Sequence, residues 1–345
     1  MEYRTLGRTD LKISAIGLGT MTWGLQNSQA DGFEQMDYAL NQGVNFFDTA
    51  EMYAIPPSPE TYGTTETIIG RWFAARQNRD QVILATKITG PGLNWIRNGE
   101  GINRQSVVQA VEDSLKRLQT DYIDLYQLHW PNRGSYHFGK TWGYAPGFDV
   151  QQERDNFLEV LQTMQGLVDV GKIRHFGLSN ETAWGLTQWL QLAQQHDLPR
   201  AVSIQNEYSL LCRHFEPDLS EISVNEACGL LAWSPLCRGM ISGKYLDGAR
   251  PEGARLSIET RVEHRVQAQT DAAIVDYIAL AKQRDWNVCQ MAIAFVLSRP
   301  FVSSVLVGAT TMEQLRCNIA AMELPLSEDI YTSIQELQRK HPMPF

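Results

Sequence analysis

The sequence predicts an α/β protein folded as a single (β/α)8 barrel, with residues 1–345 forming one domain. Three observations lead there. Short apolar segments recur eight times along the chain, most stretches between them carry helical spacing, and no shift in composition marks a linker. Strands that alternate with helices build βαβ units and a parallel sheet. Eight of them without a break favour a closed barrel over an open sheet.

The opening YRTLGRTDLKIS reads as an extra hairpin turning at Gly7-Arg8, placed to cap the bottom of the barrel. The eight strands then follow as AIGLGT from Ala15, VNFFDTA from Val44, VILATK from Val82 and YIDLYQLHW from Tyr122. They continue as IRHFGLSN from Ile173, VSIQNEY from Val202, GLLAWSPL from Gly229 and VSSVLVGA from Val302. The run Val44–Phe47 is apolar, branched or aromatic, which suits a strand covered on both faces. Between the third and fourth strands, Val107, Val111, Leu115 and Leu118 fall on one helical face, with Asn103 as N-cap. Helical spacing also marks 31–42, 64–77, 153–170, 182–196 and 311–321. Three connections are too long for simple turns: 54–65, 131–151 and 237–267. All follow strand C-termini, the face on which a barrel carries its active site.

Composition narrows the function. The chain is 43% hydrophobic and 20% charged, an ordinary globular balance. A net charge of -9 with no basic run argues against a nucleic-acid partner. An anionic ligand therefore needs local cations. The charged N-terminus has no apolar signal core, and runs such as MAIAFVL are too short to span a membrane. Five scattered cysteines without CxxC spacing point to a reducing compartment, the cytoplasm, and to no metal site.

Read together, the strand ends carry chemistry. The second strand ends in Asp48 with Tyr53 just beyond, the third in Lys87 and the fourth in His129. Singly, each has an ordinary explanation: Asp48 can bond local backbone, Lys87 can be solvated, and His129 can be a core histidine. Jointly they do not. An ammonium at the top of an apolar strand is costly unless paired, and Asp48 sits on the neighbouring strand. Reducing a carbonyl needs a hydride at carbon and a proton at oxygen. A free phenol, at a pKa of about 10, relays protons poorly near neutrality. A lysine ammonium beside Tyr53 is expected to lower that value. Asp48 would hold the lysine, and His129 would orient the carbonyl oxygen.

This ordered set, Asp48, Tyr53, Lys87 and His129, resembles the catalytic tetrad of the aldo-keto reductases. The resemblance covers essentially the whole chain: GLGTMTWG is similar to the family's first strand, SLKRLQTDYIDLYQLHWP to its fourth and GKIRHFGLSN to its fifth. Within the family the chain is similar to bacterial Tas-type reductases and, more distantly, to potassium-channel β subunits. Those subunits have asparagine where this chain has His129. The resemblance implies an NADP(H)-dependent oxidoreductase that reduces a small aldehyde or ketone to an alcohol, with Tyr53 as proton donor.

Two other nucleotide motifs fail on spacing. Gly17 and Gly19 would need a glycine at position 22, which is Thr22, and GMISGKY is one residue short of a P-loop with Tyr245 in the Ser/Thr place. The resemblance instead implies that Ser179, Asn180 and Gln205 hold the nicotinamide carboxamide. Trp233 would stack on the ring, with Thr20, Met21 and Asp48 beside it. Ser234, Pro235, Leu236, Cys237, Gly239 and Lys244 would wrap the pyrophosphate, with Arg255 further along the same loop. Gly308, Thr310, Gln314 and Asn318 match the adenosine side. The ordinary readings are helix capping for Ser179 and Asn180 and core packing for Trp233. Gln314 stands where many members carry arginine for the 2′-phosphate, and Cys317 replaces a usual glutamate, which leaves Lys244 and Arg255 as the expected cations. Trp23, Trp95, Trp130, Tyr136, Phe138, Trp142 and Tyr144 are expected around the mouth, suiting aromatic or medium-chain substrates. With the chain ending at HPMPF, the long C-terminal loop of many members is expected to be absent and the site open. The competing readings are a nucleotide-binding regulatory subunit with little turnover and a sugar-phosphate barrel isomerase. The isomerase reading lacks a phosphate-gripping glycine motif beyond what the cofactor loop explains.

Overall fold

The computed structural model describes the backbone of residues 1–345 and every side chain except those of 260–262. Its centre is a closed barrel of eight parallel strands. These are β3 (Ile16–Gly19), β4 (Phe46–Asp48), β5 (Ile83–Ile88) and β6 (Ile123–Leu128), then β7 (Ile173–Ser179), β8 (Ser203–Gln205), β9 (Gly229–Trp233) and β10 (Val302–Val307). Order around the barrel is chain order, and β10 closes on β3 through Val305 opposite Ile16 and Val307 opposite Leu18.

Side-chain alternation explains the closure. Phe46, Ala85, Leu125, Leu231 and Leu306 fill the interior. Their neighbours Phe47, Leu84, Tyr126, Leu230 and Val305 belong to the larger core between strands and helices. Both faces are thus buried, as a parallel sheet requires.

The hairpin of β1 (Tyr3–Thr5) and β2 (Lys12–Ser14) is the expected cap. Leu6, Leu11 and Ile13 are buried against the interior strand residues and form the floor of the barrel. The turn demands glycine at one point. Gly7 has φ +54, and a Cβ there would lie 2.5 Å from the Val202 carbonyl oxygen.

The surrounding helices are α1 (Gln29–Asn41), α2 (Thr64–Arg76), α3 (Arg104–Leu118), α4 (Val150–Asp169), α5 (Ala183–Gln195) and α6 (Asp218–Asn225). Beyond them come α7 (Arg255–Ile258), α8 (Ala268–Lys282), α9 (Val288–Leu297), α10 (Met312–Ala320) and α11 (Glu328–Lys340). Ser28 with Asp31 and Asn103 with Ser106 form reciprocal capping boxes at the starts of α1 and α3. The MAIAFVL run lies in α9, where every residue from Met291 to Leu297 is buried in the core. Among the described residues no helix is long and apolar enough to cross a membrane.

The floor makes a stability prediction. Leu6 has no solvent exposure, so Leu6→Ala should lower unfolding stability by about 2–5 kcal/mol, the usual cost of a core leucine truncation. Urea unfolding followed by circular dichroism checks it. A loss under about 0.5 kcal/mol, the range of an inert surface change, would show that the hairpin does not support the barrel.

Candidate active site

The C-terminal ends of β4, β5 and β6 bring the polar residues together. Lys87 Nζ lies 2.7 Å from Asp48 Oδ2 and also donates to the Thr49 carbonyl at 2.7 Å. Both side chains of the pair are buried. The other carboxylate oxygen, Asp48 Oδ1, accepts from Gln127 Nε2 at 3.0 Å and Gln205 Nε2 at 2.8 Å. Lys87 Nζ stands 5.1 Å from the Tyr53 ring centre, and the Tyr53 and His129 rings meet edge to face at 5.8 Å. The four strand-end residues therefore share one small volume at the barrel mouth.

Their protonation follows from burial and charge. Burial disfavours the Lys87 ammonium, but the Asp48 carboxylate and Tyr53 outweigh it and hold the pKa above the ordinary lysine value. Burial, followed by Lys87, keeps the His129 imidazole well below its ordinary range, so it is neutral. For Tyr53 the outcome differs from the expected lowering. Burial pushes the phenol up, Lys87 pulls it down, and burial prevails. Tyr53 is a neutral phenol with its proton in place.

A second set of buried groups holds the Tyr53 loop, and sequence reasoning missed it. Glu51 accepts the Thr89 backbone N–H at 2.6 Å, the Tyr62 hydroxyl at 3.0 Å and a bidentate Arg97 at 2.6 and 2.8 Å. Arg117 pairs with Glu66 at 2.6 Å and covers the Tyr62 ring. Gln127 was missed as well, although a signal existed: it has the same strand parity as the interior residue Leu125.

The residues expected at the nicotinamide lie along the ends of β7, β8 and β9. Ser179 Oγ donates to the Gln205 carbonyl at 2.9 Å, and Asn180 Nδ2 donates to the His129 carbonyl at 2.9 Å and to Ser179 Oγ at 3.1 Å. Neither Ser179 nor Asn180 caps α5. Thr182 does, accepting from the Gly185 N–H. Trp233 is only half-buried, so it is not plain core. Phe138 lies nearly parallel to its ring at 6.4 Å, and Arg238 stands over it. Thr20 donates from its hydroxyl to the Asp48 carbonyl at 2.9 Å.

The following loop turns tightly, with Ser234, Cys237, Arg238 and Gly239 all at positive φ, and Pro235 and Leu236 between. Ser234 Oγ accepts the Arg238 N–H at 2.8 Å. Lys244 is exposed beside Gly239, where an added Cβ would stand 3.2 Å from its Nζ. Arg255 is held by Glu259 at 2.6 Å and approaches Met21 Sδ, so it ties the loop to the end of β3. On the far side Gln314 Oε1 accepts from the Thr310 N–H at 3.0 Å, and Asn318 Nδ2 donates to the Gly308 carbonyl at 3.3 Å.

The aromatic mouth differs from expectation at two points. Trp23 is fully buried, its Nε1 donating to Gln35 at 2.9 Å, because the short connection after β3 turns it into the core. Trp95 and Trp130 pack around Tyr53 with Met52, Ile55 and Ile96, while Trp142 is 70% exposed. The chain end packs near the 131–151 loop. Phe345 covers the Arg265 guanidinium at 4.5 Å and lines a pocket with Tyr136, Phe138 and Trp142, and Tyr144 packs edge-on to Tyr136. Among the described residues no His, Cys, Asp and Glu cluster could hold a metal ion.

Removing the cation of the buried pair tests the arrangement. Lys87→Met should cost about 3–5 kcal/mol of stability, the usual result of stranding a buried charge. Adding Asp48→Asn should recover part of it. Denaturant melts of the single and double variants decide, and strictly additive losses would refute the pairing.

Residues 15–339 match the model of the Aldo/keto reductase family. The chain is 46% identical over 347 residues to Protein tas of Escherichia coli (strain K12), covering 100% of this chain and 99% of that protein. It is 33% identical over 344 residues to the uncharacterized oxidoreductase YrpG of Bacillus subtilis (strain 168), covering 98% and 96%. A probable voltage-gated potassium channel subunit beta of Arabidopsis thaliana is 30% identical over 331 residues, covering 94% and 92%. With the barrel closed as described and matches of this extent, the chain belongs to the aldo/keto reductase family of oxidoreductases.

Proposed function

We propose that the protein is a cytoplasmic NADP(H)-dependent carbonyl reductase that converts aromatic or medium-chain aldehydes and ketones to alcohols, with Tyr53 as proton donor. One observation carries this reading: a fully buried ammonium, Lys87, is locked by Asp48 beside a neutral phenol and a neutral imidazole. The whole activity is assigned to one domain, residues 1–345.

The site suits a nicotinamide. Asn180 Oδ1 is buried with no hydrogen-bond partner among the described residues, beside Ser179 and Gln205, and such an acceptor fits a carboxamide N–H. Thr20, Met21, Trp233 and the Ser234–Gly239 turn would border the ring and pyrophosphate. Gly308, Thr310, Gln314 and Asn318 would meet the adenosine. When bound, the reduced nicotinamide supplies the hydride.

The chain's own residues handle the proton. The Tyr53 hydroxyl gives its proton to the carbonyl oxygen as charge develops there. The Lys87 ammonium then stabilises the phenolate left behind, and Asp48 keeps that ammonium in place. A neutral His129 can hydrogen-bond the same oxygen without competing as an acid. Trp95, Trp130 and Phe138 offer apolar walls for the rest of the substrate.

Tyr53→Phe should retain NADPH affinity but lose roughly 10²–10⁴-fold in turnover of 4-nitrobenzaldehyde, the usual contribution of a general acid. Near-native turnover would reject Tyr53 as donor. Wild-type protein that binds NADPH without turnover would favour the regulatory-subunit reading.

The 2′-phosphate brings nearly two negative charges to a chain at -9, so it needs dedicated cations. Arg255 presents a planar fork and Lys244 a point charge. One charge-assisted hydrogen bond contributes about 1.5–3 kcal/mol, so NADPH should bind roughly ten- to a hundredfold more tightly than NADH. Arg255→Ala should remove more of that preference than Lys244→Ala. The ratio of the two dissociation constants in each protein checks this, and a ratio untouched by Arg255→Ala would reject the assignment.

A further inference from the structure

Gln127 enters the barrel interior from β6, fully buried and opposite Lys87 on the neighbouring strand. Its Nε2 donates to Asp48 Oδ1 at 3.0 Å, and its Oε1 accepts from Gln205 Nε2 at 2.9 Å. Gln205 Nε2 also donates to Asp48 Oδ1 at 2.8 Å, closing a triangle of one carboxylate and two amides.

Counting hydrogens fixes how both amides face. An ionised carboxylate only accepts, so each glutamine must turn its nitrogen toward Asp48. An amide nitrogen carries two hydrogens, and Gln205 uses one on Asp48 and one on Gln127. What it has left to offer is Oε1. Asn180 follows the same logic. Both its hydrogens go to the His129 carbonyl and Ser179 Oγ, which leaves Oδ1 buried and unpartnered among the described residues. Two amide oxygens, both acceptors, are therefore what these side chains hold ready.

We propose that Gln127 is a positioning residue: by taking the second hydrogen of Gln205, it holds Gln205 Oε1 as an acceptor for the N–H of a carboxamide ligand. The proposal rests on the nicotinamide reading given above. A single bond to Asp48 would leave the Gln205 amide free to swing about it, whereas two bonds fix its plane. Without Gln127, Gln205 can turn a hydrogen to the ligand and donate to a carbonyl as readily as it accepts from an N–H.

The test compares NADP⁺ with its 3-acetylpyridine analogue, in which a methyl group replaces the carboxamide nitrogen, by titration calorimetry. Wild type should bind NADP⁺ more tightly by about two- to tenfold, the range of one neutral hydrogen bond. In Gln127→Leu that ratio should fall below the wild-type value, through weaker NADP⁺ binding and little change for the analogue, with Asn180 Oδ1 as the acceptor that remains. General structural damage would instead weaken both alike. Gln127→Glu carries the test if the leucine variant does not fold. A protonated glutamic acid can donate to Asp48 and accept from Gln205, but an ionised one repels Asp48. Its discrimination should therefore return as pH is lowered and fall as pH is raised.

A Gln127→Leu protein that keeps the wild-type ratio overturns the role of Gln127 and leaves the nicotinamide reading standing. A wild type with a ratio of one overturns the acceptor argument. Wild-type protein that binds neither dinucleotide overturns the nicotinamide reading and this proposal with it.

Discussion

The constraint on which the site depends is the burial of the Lys87 ammonium with no solvent exposure at all. A charge placed there is tolerated only if every nearby group is arranged to receive it. Asp48 neutralises it, the Thr49 carbonyl accepts a second hydrogen, and two glutamine amides complete the carboxylate. The barrel makes the arrangement possible. Adjacent parallel strands fix Asp48 opposite Ala85 and Lys87 opposite Gln127. Below them Phe46, Ala85, Leu125, Leu231 and Leu306 pack down onto Leu6, Leu11 and Ile13.

The same burial decides which parts of the molecule were legible in the sequence. Strands showed as apolar runs and helices with one polar face showed as periodicity, so the barrel and most of its first six helices were readable. α9 was not, because a helix apolar on all sides has no period to detect. Asp48, Tyr53, Lys87 and His129 were readable as strand ends. The direction of the Tyr53 shift was not, because the sequence names the neighbouring lysine but not the depth of burial that opposes it. Gln127 and Gln205 meet Asp48 across 79 and 157 residues of chain, and Glu51 meets Arg97 across 46, distances over which no local pattern carries information. Trp23 was misplaced for a related reason: a turn is oriented by packing that the sequence does not spell out.

The loop between β9 and α8 has a different construction. It is rich in positive-φ turns, and several of its arginines are held by acids of the loop or of nearby strand ends. Arg238 and Arg255 share Glu259, and Arg265 is clamped by Glu207 just beyond β8. Those contacts give the loop a defined course before any ligand arrives. They also mean that an anion reaching Arg255 enters a site already furnished with a carboxylate, which tempers the attraction and favours ligands able to grip a guanidinium from its free edge.

The pairing of Lys87 with Asp48 has an electrical consequence at longer range. A matched pair 2.7 Å apart is, from a distance, a dipole rather than a charge. The amides that complete it add no net charge, so the field of this buried group decays quickly and is felt only by atoms already in contact. Among the described residues Lys140 and Lys244 are exposed around the mouth without an ion pair, and any attraction they exert on an anion acts against an overall charge of -9. The exposed rim and the buried pair are thereby placed under separate electrostatic control. Added salt screens the exposed rim and slows arrival, while the buried dipole, shielded from ions by the barrel wall, works on the bound molecule unchanged.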